Sequence, residues 1–103
     1  MSAAKSRASV STRGPVLIIG TGLLGTSLAL ALRTADVEVQ LSDTSPTSLA
    51  LARDMGAGTP HDKHSPEPQI VVVATPPDVT ADVVVAQLNA HPSAVVTDVA
   101  SVK

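Results

Sequence analysis

Short uninterrupted runs of hydrophobic residues recur along this chain. Two of them, Val16–Ile19 and Ile70–Ala74, are rich in β-branched side chains, which is typical of strands covered on both faces of a parallel sheet. A third run, Ala94–Thr97, predicts the last strand. Between Val37 and Ser42 apolar and polar residues alternate instead, and this pattern predicts a half-buried strand near an edge of the sheet.

The segment Leu23–Arg33 has helical periodicity and more leucine than one helix face needs. One stripe would pack on the sheet, and it consists of Leu24, Leu28, Ala31 and Leu32. Leu23 and Leu30 lie off that stripe. They indicate either a second apolar partner, in the rest of a larger molecule or in a neighbouring subunit, or a helix covered by its own loops.

Two further helices are predicted from their ends or from topology. Ser45 and the proline after it provide an N-cap and a first helical position, and Gly56 provides a stop, so the second helix is Pro46–Met55. The segment Asp78–Asn89 contains Val83–Val85, a run with low helix propensity. Because parallel strands need a crossover of about a dozen residues, and an aspartate near its start suits a helix N-terminus, we predict the third helix there.

The segment Ala57–Gln69 is polar and contains prolines. His61, Asp62 and His64 carry metal-ligating groups, but Lys63 lies between the two histidines and no further ligand is close by in the sequence. We therefore expect a solvated loop rather than a metal site. Any strand within this segment must be very short.

The alternation of strands and helices predicts an α/β fold of the Rossmann type, with a doubly wound, mainly parallel sheet of about four strands. Residues 15–103 would form this domain. Residues 1–14 are rich in serine and alanine and contain basic but no acidic residues, so we expect a disordered tail. Because the tail is short and lacks an amphipathic face, we favour an untargeted tail over an organellar transit signal.

Composition and charge narrow the classes of partner. The chain has 103 residues, a formal net charge of -2 and 44% hydrophobic residues, with no aromatic residue and no cysteine. This charge does not favour nucleic-acid or membrane surfaces, and aromatic platforms for single-stranded nucleic acid are absent. No apolar run approaches membrane-spanning length, and the lack of cysteine excludes disulfides and thiolate metal sites. We expect a cytoplasmic protein whose partner is a small molecule.

A glycine motif connects the first strand to the first helix. Gly20 would form the tight turn, Gly22 would let a pyrophosphate approach the backbone, and Gly25 would let the helix pack closely on its strand. The intervening positions are Thr21, Leu23 and Leu24. Because the N–H groups of a first helical turn lack intrahelical acceptors, this turn predicts an anion site without a basic side chain.

Asp43 ends the second strand, 18 residues beyond Gly25. In a dinucleotide-binding fold an acid at this place accepts hydrogen bonds from the adenosine ribose hydroxyls, and its charge repels a 2′-phosphate. We therefore favour NAD over NADP as the cofactor, although Thr44 and Ser45 add hydroxyl groups beside the acid. The alternative is a purely structural glycine turn with Asp43 at the start of a loop.

Two further segments follow strands. Thr75 and Pro76 could bring backbone near the nicotinamide ribose, or Pro76 and Pro77 could simply stop the strand. Ser101 offers its hydroxyl to a substrate or to the nicotinamide, or as a cap to a following helix. Since ligands of open α/β sheets bind at the carboxyl ends of the strands, all these residues would meet in one crevice.

Four segments together resemble the N-terminal, nucleotide-binding half of the prephenate or arogenate dehydrogenase family. They are Gly20–Leu28, Asp43, Val73–Pro76 and Thr97–Lys103. Thr97–Lys103 is the most specific of the four, because many dehydrogenases share the glycines whereas few share this serine-containing segment after the last strand. The resemblance implies oxidation of prephenate or arogenate by hydride transfer to a nicotinamide, with loss of carbon dioxide, in tyrosine biosynthesis. It also implies that the glycines and Asp43 bind NAD, and that Ser101 lies near both the substrate hydroxyl and the nicotinamide.

The family's catalytic histidine, which follows the serine motif, has no counterpart in this sequence. His91 and Pro92 precede the last strand, at the opposite end of the sheet from the crevice. The family's helical second domain, which completes the substrate site and forms a homodimer, is not matched either. Because abstraction of a hydroxyl proton needs a base within hydrogen-bond reach, we expect this chain, as a truncated dehydrogenase, to bind a dinucleotide without turnover.

Two alternative interpretations remain at this point. One is the cofactor domain of a dehydrogenase of the 6-phosphogluconate or hydroxyisobutyrate type, which would share the glycines and Asp43 but not the serine motif. The other is a non-catalytic NAD-binding module.

Overall fold

Strands and helices alternate through residues 14–99, the part of the chain that the computed structural model describes. In chain order they are β1 (Val16–Ile19), α1 (Leu23–Thr34), β2 (Val39–Ser42), α2 (Pro46–Asp54), β3 (Thr59–Pro60), β4 (Ile70–Val73), α3 (Pro77–Ala90) and β5 (Val95–Asp98). The strands form one parallel sheet in the order β3-β2-β1-β4-β5. The predicted α/β fold is confirmed. The described sheet has five strands rather than about four, because the two-residue β3 pairs with β2.

The centre of the sheet is β1, which pairs with β2 and β4 over its whole length. One face carries a buried cluster that joins the sheet to α1 and α2, and the cluster includes Val16, Ile18, Ala29, Val39, Leu41, Ala52 and Val72. On the other face Leu17, Val71 and Val73 pack against Val83 and Val84 of α3. Each fully buried aliphatic side chain stabilises the fold by about 1.5–3 kcal/mol, so these two layers stabilise the sheet. Because all its strand pairs are parallel, the carboxyl ends of the strands lie at one edge.

The second and third helices begin and end within one residue of their predicted limits. The Ser45 hydroxyl accepts the backbone N–H of Ser48 at 3.2 Å, and Gly56, at φ +85°, follows the end of α2. The valine-rich segment forms α3 despite its low propensity because Val83 and Val84 are packed on the sheet.

The apolar stripe predicted for α1 is partly wrong. Leu24 is 59% exposed and Ala31 is exposed as well, whereas Gly25 and Ala29 are buried against the sheet. The helix approaches the glycine turn so closely at Gly25 that only small side chains fit along the line of contact. The half-buried leucines that pack around this line are Leu28, Leu30 and Leu32. Leu23 is 88% exposed, and the second apolar partner suggested for it stays a prediction.

The half-buried pattern predicted for the second strand is also wrong at one position. Gln40 is only 1% exposed. Its Nε2 donates to the Pro66 carbonyl oxygen at 2.8 Å, and its Oε1 accepts from His61 Nδ1 at 2.8 Å. The segment after β3 therefore covers Gln40 and forms hydrogen bonds with both the nitrogen and the oxygen of its side-chain amide. As a result Gln40, which the alternating pattern predicted to be exposed, is buried. His61 is half-buried through its contact with Gln40, whereas Asp62, Lys63 and His64 are exposed, as expected for a solvated loop.

Candidate functional site

A crevice of about 900 Å³ lies at the carboxyl edge of the sheet, where the segments after β1, β2 and β4 meet Val99 beyond β5. Most of the predicted site residues line it: Gly20, Gly22, Leu23, Leu24, Asp43, Thr75 and Pro76. Thr21 and Gly25 are buried in the wall behind the same turn. Ser101 lies outside the described residues. The structure thus brings together the glycine turn, the acid and the loop after β4.

Two of the three glycines in the turn are required by contacts inside the protein. Gly20 has φ +102°, and a Cβ atom there would lie 2.5 Å from the Ala74 carbonyl oxygen. A Cβ atom on Gly25 would overlap the carbonyl oxygen of Gly20. Both positions exclude a side chain because the backbones of the turn, α1 and the loop after β4 are in close contact.

Gly22 is different, because nothing inside the described protein requires a glycine there. Its φ of -73° and ψ of -163° are open to any residue, and a Cβ atom would meet no heavy atom within 4 Å. Gly22 lines the crevice. The missing side chain therefore leaves free space directly above the backbone at the start of α1.

The first turn of α1 has the features of an anion-binding helix N-terminus. Its N-cap, Gly22, provides no side-chain hydrogen bond, and no acidic residue lies in the first turn. The bond from the N–H of Thr26 to the Gly22 carbonyl oxygen, at 2.9 Å, closes that turn, so the preceding N–H groups have no acceptor within the helix. These donors and the positive end of the helix dipole favour a negatively charged ligand.

Asp43 faces this turn from the end of β2. Its Oδ2 accepts the backbone N–H of Thr21 at 2.6 Å and the Thr21 hydroxyl at 2.8 Å, and its Oδ1 accepts the N–H of Ser45 at 2.7 Å. Burial raises the pKa of Asp43, but the N–H groups of Thr21, Ser45 and Thr44 and the Thr21 hydroxyl outweigh burial and lower this pKa below its ordinary value. The carboxyl group is therefore ionised at neutral pH.

The opposite wall of the crevice is formed by the loop after β4 and the start of α3. Pro77, Val79 and Val83 supply apolar surface there. The Thr80 hydroxyl is buried behind this wall and donates to the carbonyl oxygens of Pro76 and Thr75, at 2.9 and 3.2 Å. Sequence reasoning missed Thr80; the only signal was a threonine in the first turn of a predicted helix.

Among the described residues that line the crevice, Asp43 is the only ionisable one. His91 is buried elsewhere, with its Nδ1 3.0 Å from Glu67 Oε1 and its ring edge-on to that of His61. Within residues 14–99, no group of three or more His, Cys, Asp or Glu side chains could hold a metal ion. In the same part of the chain, every helix is too short or too polar to cross a bilayer.

Comparison with known proteins agrees with this geometry. Residues 28–103 match the family model described as "Prephenate dehydrogenase, nucleotide-binding domain". The "Probable prephenate dehydrogenase NovF" of Streptomyces niveus is 43% identical over 88 residues, which are 84% of this chain and 24% of that protein. The chain therefore spans about a quarter of the length of this relative.

Two solved structures share the fold of this chain. Synechocystis arogenate dehydrogenase superposes with a TM-score of 0.71 at 27% identity, over 86% of this chain and 34% of the other. Prephenate dehydrogenase from A. aeolicus, solved in complex with hydroxyphenyl propionate and NAD+, superposes with a TM-score of 0.70 at 26% identity, over 82% and 32% of the two chains.

The matched residues include the acid at the end of β2, the loop after β4 and the last strand. They also include the segment around Ser101, which distinguished the prephenate dehydrogenase resemblance from the other dehydrogenase classes. Since the family model matches more than half of the chain, this protein belongs to the family of prephenate dehydrogenase nucleotide-binding domains.

Proposed function

We propose that residues 15–103 form a domain that binds NAD in the crevice at the carboxyl edge of the sheet. The pyrophosphate lies over Gly22 at the start of α1, and the adenosine ribose lies against Asp43. The nicotinamide half extends towards Thr75 and Pro76. The observation that carries this proposal is Gly22, because it is the one glycine of the motif that the protein's own contacts do not require.

The crevice favours NAD over NADP on electrostatic grounds. Asp43 is the only charged side chain among its described lining residues, and its pKa is lowered. A 2′-phosphate on the ribose would therefore face a carboxylate with no described lysine or arginine in the lining to neutralise it. A ribose hydroxyl, by contrast, donates a hydrogen bond to the same group.

We propose further that the protein is the cofactor domain of a cytoplasmic, homodimeric prephenate or arogenate dehydrogenase. When bound, NAD would accept hydride from the ring carbon that carries the substrate hydroxyl. The described lining of the crevice provides no histidine to take the hydroxyl proton, so this step requires a base from another part of a complete enzyme. The chain reaches the crevice at Val99, and we assign Ser101, two residues further on, a contact with the substrate and nicotinamide.

Calorimetric titration of the 103-residue chain with NAD and NADP tests the cofactor assignment. Asp43→Ala should raise the Kd for NAD by about tenfold or more, since a hydrogen bond to a charged group is worth about 1.5–3 kcal/mol. The Kd for NADP should rise less or should fall. The matched control is Asp54→Ala, which removes an exposed carboxylate at the end of α2 that pairs with Arg53 and should change neither Kd by more than about twofold.

The absence of measurable heat with either nucleotide would refute the proposed cofactor. Equal losses of affinity for NAD and NADP in Asp43→Ala would refute the ribose assignment while leaving nucleotide binding intact.

A further inference from the structure

Thr21 occupies the second position of the glycine turn and is only 5% exposed. The G-x-G-x-x-G pattern places no requirement on this position. In this chain its side chain turns away from solvent and meets the carboxylate of Asp43, with 2.8 Å between Thr21 Oγ1 and Asp43 Oδ2. The contact joins residues that are far apart in sequence, at the ends of β1 and β2.

The hydrogen bonds divide the two carboxylate oxygens of Asp43 into different roles. Oδ2 accepts two donors from Thr21, the N–H at 2.6 Å and the hydroxyl at 2.8 Å. Oδ1 accepts the N–H of Ser45 at 2.7 Å. Each carboxylate oxygen has about two lone-pair sites. The two Thr21 donors occupy Oδ2, whereas Oδ1 accepts a single short hydrogen bond, from Ser45. The Thr44 N–H also lies near the carboxylate and lowers its pKa, without a short hydrogen bond to either oxygen. Oδ1 is therefore the oxygen with room for an incoming hydroxyl group.

Thr21 is itself held from the other side by α1. The Thr26 hydroxyl donates to the Thr21 carbonyl oxygen at 2.9 Å, and the Thr26 N–H donates to the Gly22 carbonyl oxygen at 2.9 Å. Thr26 is buried as well. A continuous chain of hydrogen bonds therefore runs from the first turn of α1 through Thr21 to Asp43, and it couples the proposed pyrophosphate position to the proposed ribose position.

We propose that the Thr21 hydroxyl is a positioning group for cofactor selection: it holds the Asp43 carboxylate so that Oδ1 receives a ribose hydroxyl. Thr21 acts on the ribose through Asp43 and not by touching it. This inference rests on the proposed binding of NAD in the crevice, and it assigns the preference for NAD over NADP to a pair of residues rather than to the acid alone.

Calorimetry on the 103-residue chain tests the inference with Thr21→Val, which removes the hydroxyl and keeps the β-branched shape. The Kd for NAD should rise about five- to tenfold, as expected for a weakened charge-assisted hydrogen bond. The Kd for NADP should change by less than about twofold, since its 2′-phosphate gains nothing from an ordered carboxylate. Thr21→Ser, which restores the hydroxyl, should bind NAD within about twofold of the original chain.

A double-mutant comparison separates a positioning role from a structural one. In an Asp43→Ala background, Thr21→Val should change the Kd for NAD by less than about twofold, because its effect passes through the carboxylate. The matched control is Thr34→Val, which removes an exposed hydroxyl bonded to the Leu30 carbonyl oxygen at the far end of α1 and should leave both affinities unchanged. Thermal melting shows whether each variant is folded; if Thr21→Val is not, the smaller Thr21→Ala replaces it in every comparison.

Failure of this inference is distinguishable from failure of the proposed function. If the unsubstituted chain does not bind NAD, both are overturned. If it binds NAD and the folded hydroxyl-free variant binds equally well, the inference alone is overturned. It is also overturned if that variant loses NAD and NADP affinity equally, or if the loss is as large in the Asp43→Ala background.

Discussion

Substitution of Gly22 by alanine should separate the stability of this domain from its affinity for the cofactor. The backbone of Gly22 is in an ordinary extended conformation, and a Cβ atom there meets no heavy atom within 4 Å. Gly→Ala substitutions at such positions stabilise proteins by about 0.4–1 kcal/mol, because the unfolded chain loses freedom. Gly22 is also the N-cap of α1, and alanine is a poorer N-cap than glycine by about 0.5–1 kcal/mol. The two effects nearly cancel, so the melting temperature should change by less than roughly 4 °C.

The same methyl group should weaken the binding of NAD. It would project into the free space above the first turn of α1, where we place the pyrophosphate. Crowding of a well-fitted contact by one methyl group costs about 1–3 kcal/mol, which corresponds to roughly a 5- to 150-fold increase in Kd. The variant should thus melt within roughly 4 °C of the original chain and bind NAD more weakly.

Thermal melting and calorimetric titration with NAD, performed on the same preparations, measure both effects. Gly25→Ala is the first comparison, and it should lose stability because its Cβ atom would overlap the Gly20 carbonyl oxygen. Gly56→Ala, outside the crevice, should lose stability through its φ of +85° and keep the original Kd. A folded Gly22→Ala variant with unchanged affinity for NAD would refute the placement of the pyrophosphate.

Two further predictions concern the pH dependence of stability and the buried amide of β2. Burial opposes ionisation of Asp43, but hydrogen bonds from Thr21, Ser45 and Thr44 lower its folded-state pKa below the ordinary value. Asp43 therefore stabilises the fold at pH values above its ordinary pKa. This stabilisation is lost as the pH falls through the lowered, folded-state pKa. In urea denaturation, the difference in free energy of unfolding between the original chain and Asp43→Asn should therefore shrink towards acid pH, and a difference independent of pH would contradict this sign. Gln40→Leu should lower the free energy of unfolding by about 1–2 kcal/mol, because it removes the hydrogen-bond partner of the Pro66 carbonyl oxygen and of His61 Nδ1. The Kd of this variant for NAD should not change. If its free energy of unfolding is not lowered, the Gln40 amide contributes no net stability.

The features that sequence predicted well are those set by local pattern. β1 and β4 are continuous apolar runs, and they lie adjacent within the sheet with both faces covered. The spacing of the glycines and of Asp43 in the sequence predicted that they lie together, and in the structure they are found at one crevice. The third helix was predicted against its propensity, because the connection between parallel strands requires a crossover.

The features that sequence did not predict depend on contacts between distant residues. The burial of Gln40 depends on Pro66 and His61, which approach it only after the chain has passed through β3. The exposure of Leu24 follows from the close packing of Gly25 on the turn, which periodicity does not encode. The hydroxyl groups of Thr21 and Thr80 donate to a carboxylate and to carbonyl oxygens. No sequence pattern predicts such hydrogen bonds, because the tertiary structure determines which acceptor each hydroxyl group meets.

The central claim is that NAD binds along the carboxyl edge of the sheet, over Gly22 and against Asp43. An NMR titration of the ¹⁵N-labelled 103-residue chain with NAD tests it most directly. We expect saturable shifts of backbone N–H signals concentrated in Thr21–Gly25, beside Asp43 and in the loop at Thr75, with the amides near His91 unaffected. Absent shifts would contradict the claim. So would saturable shifts that leave the signals beside Asp43 and at Thr75 unchanged, as binding in the neighbouring groove between Leu30 and Met55, which shares Gly22 with the crevice, would produce.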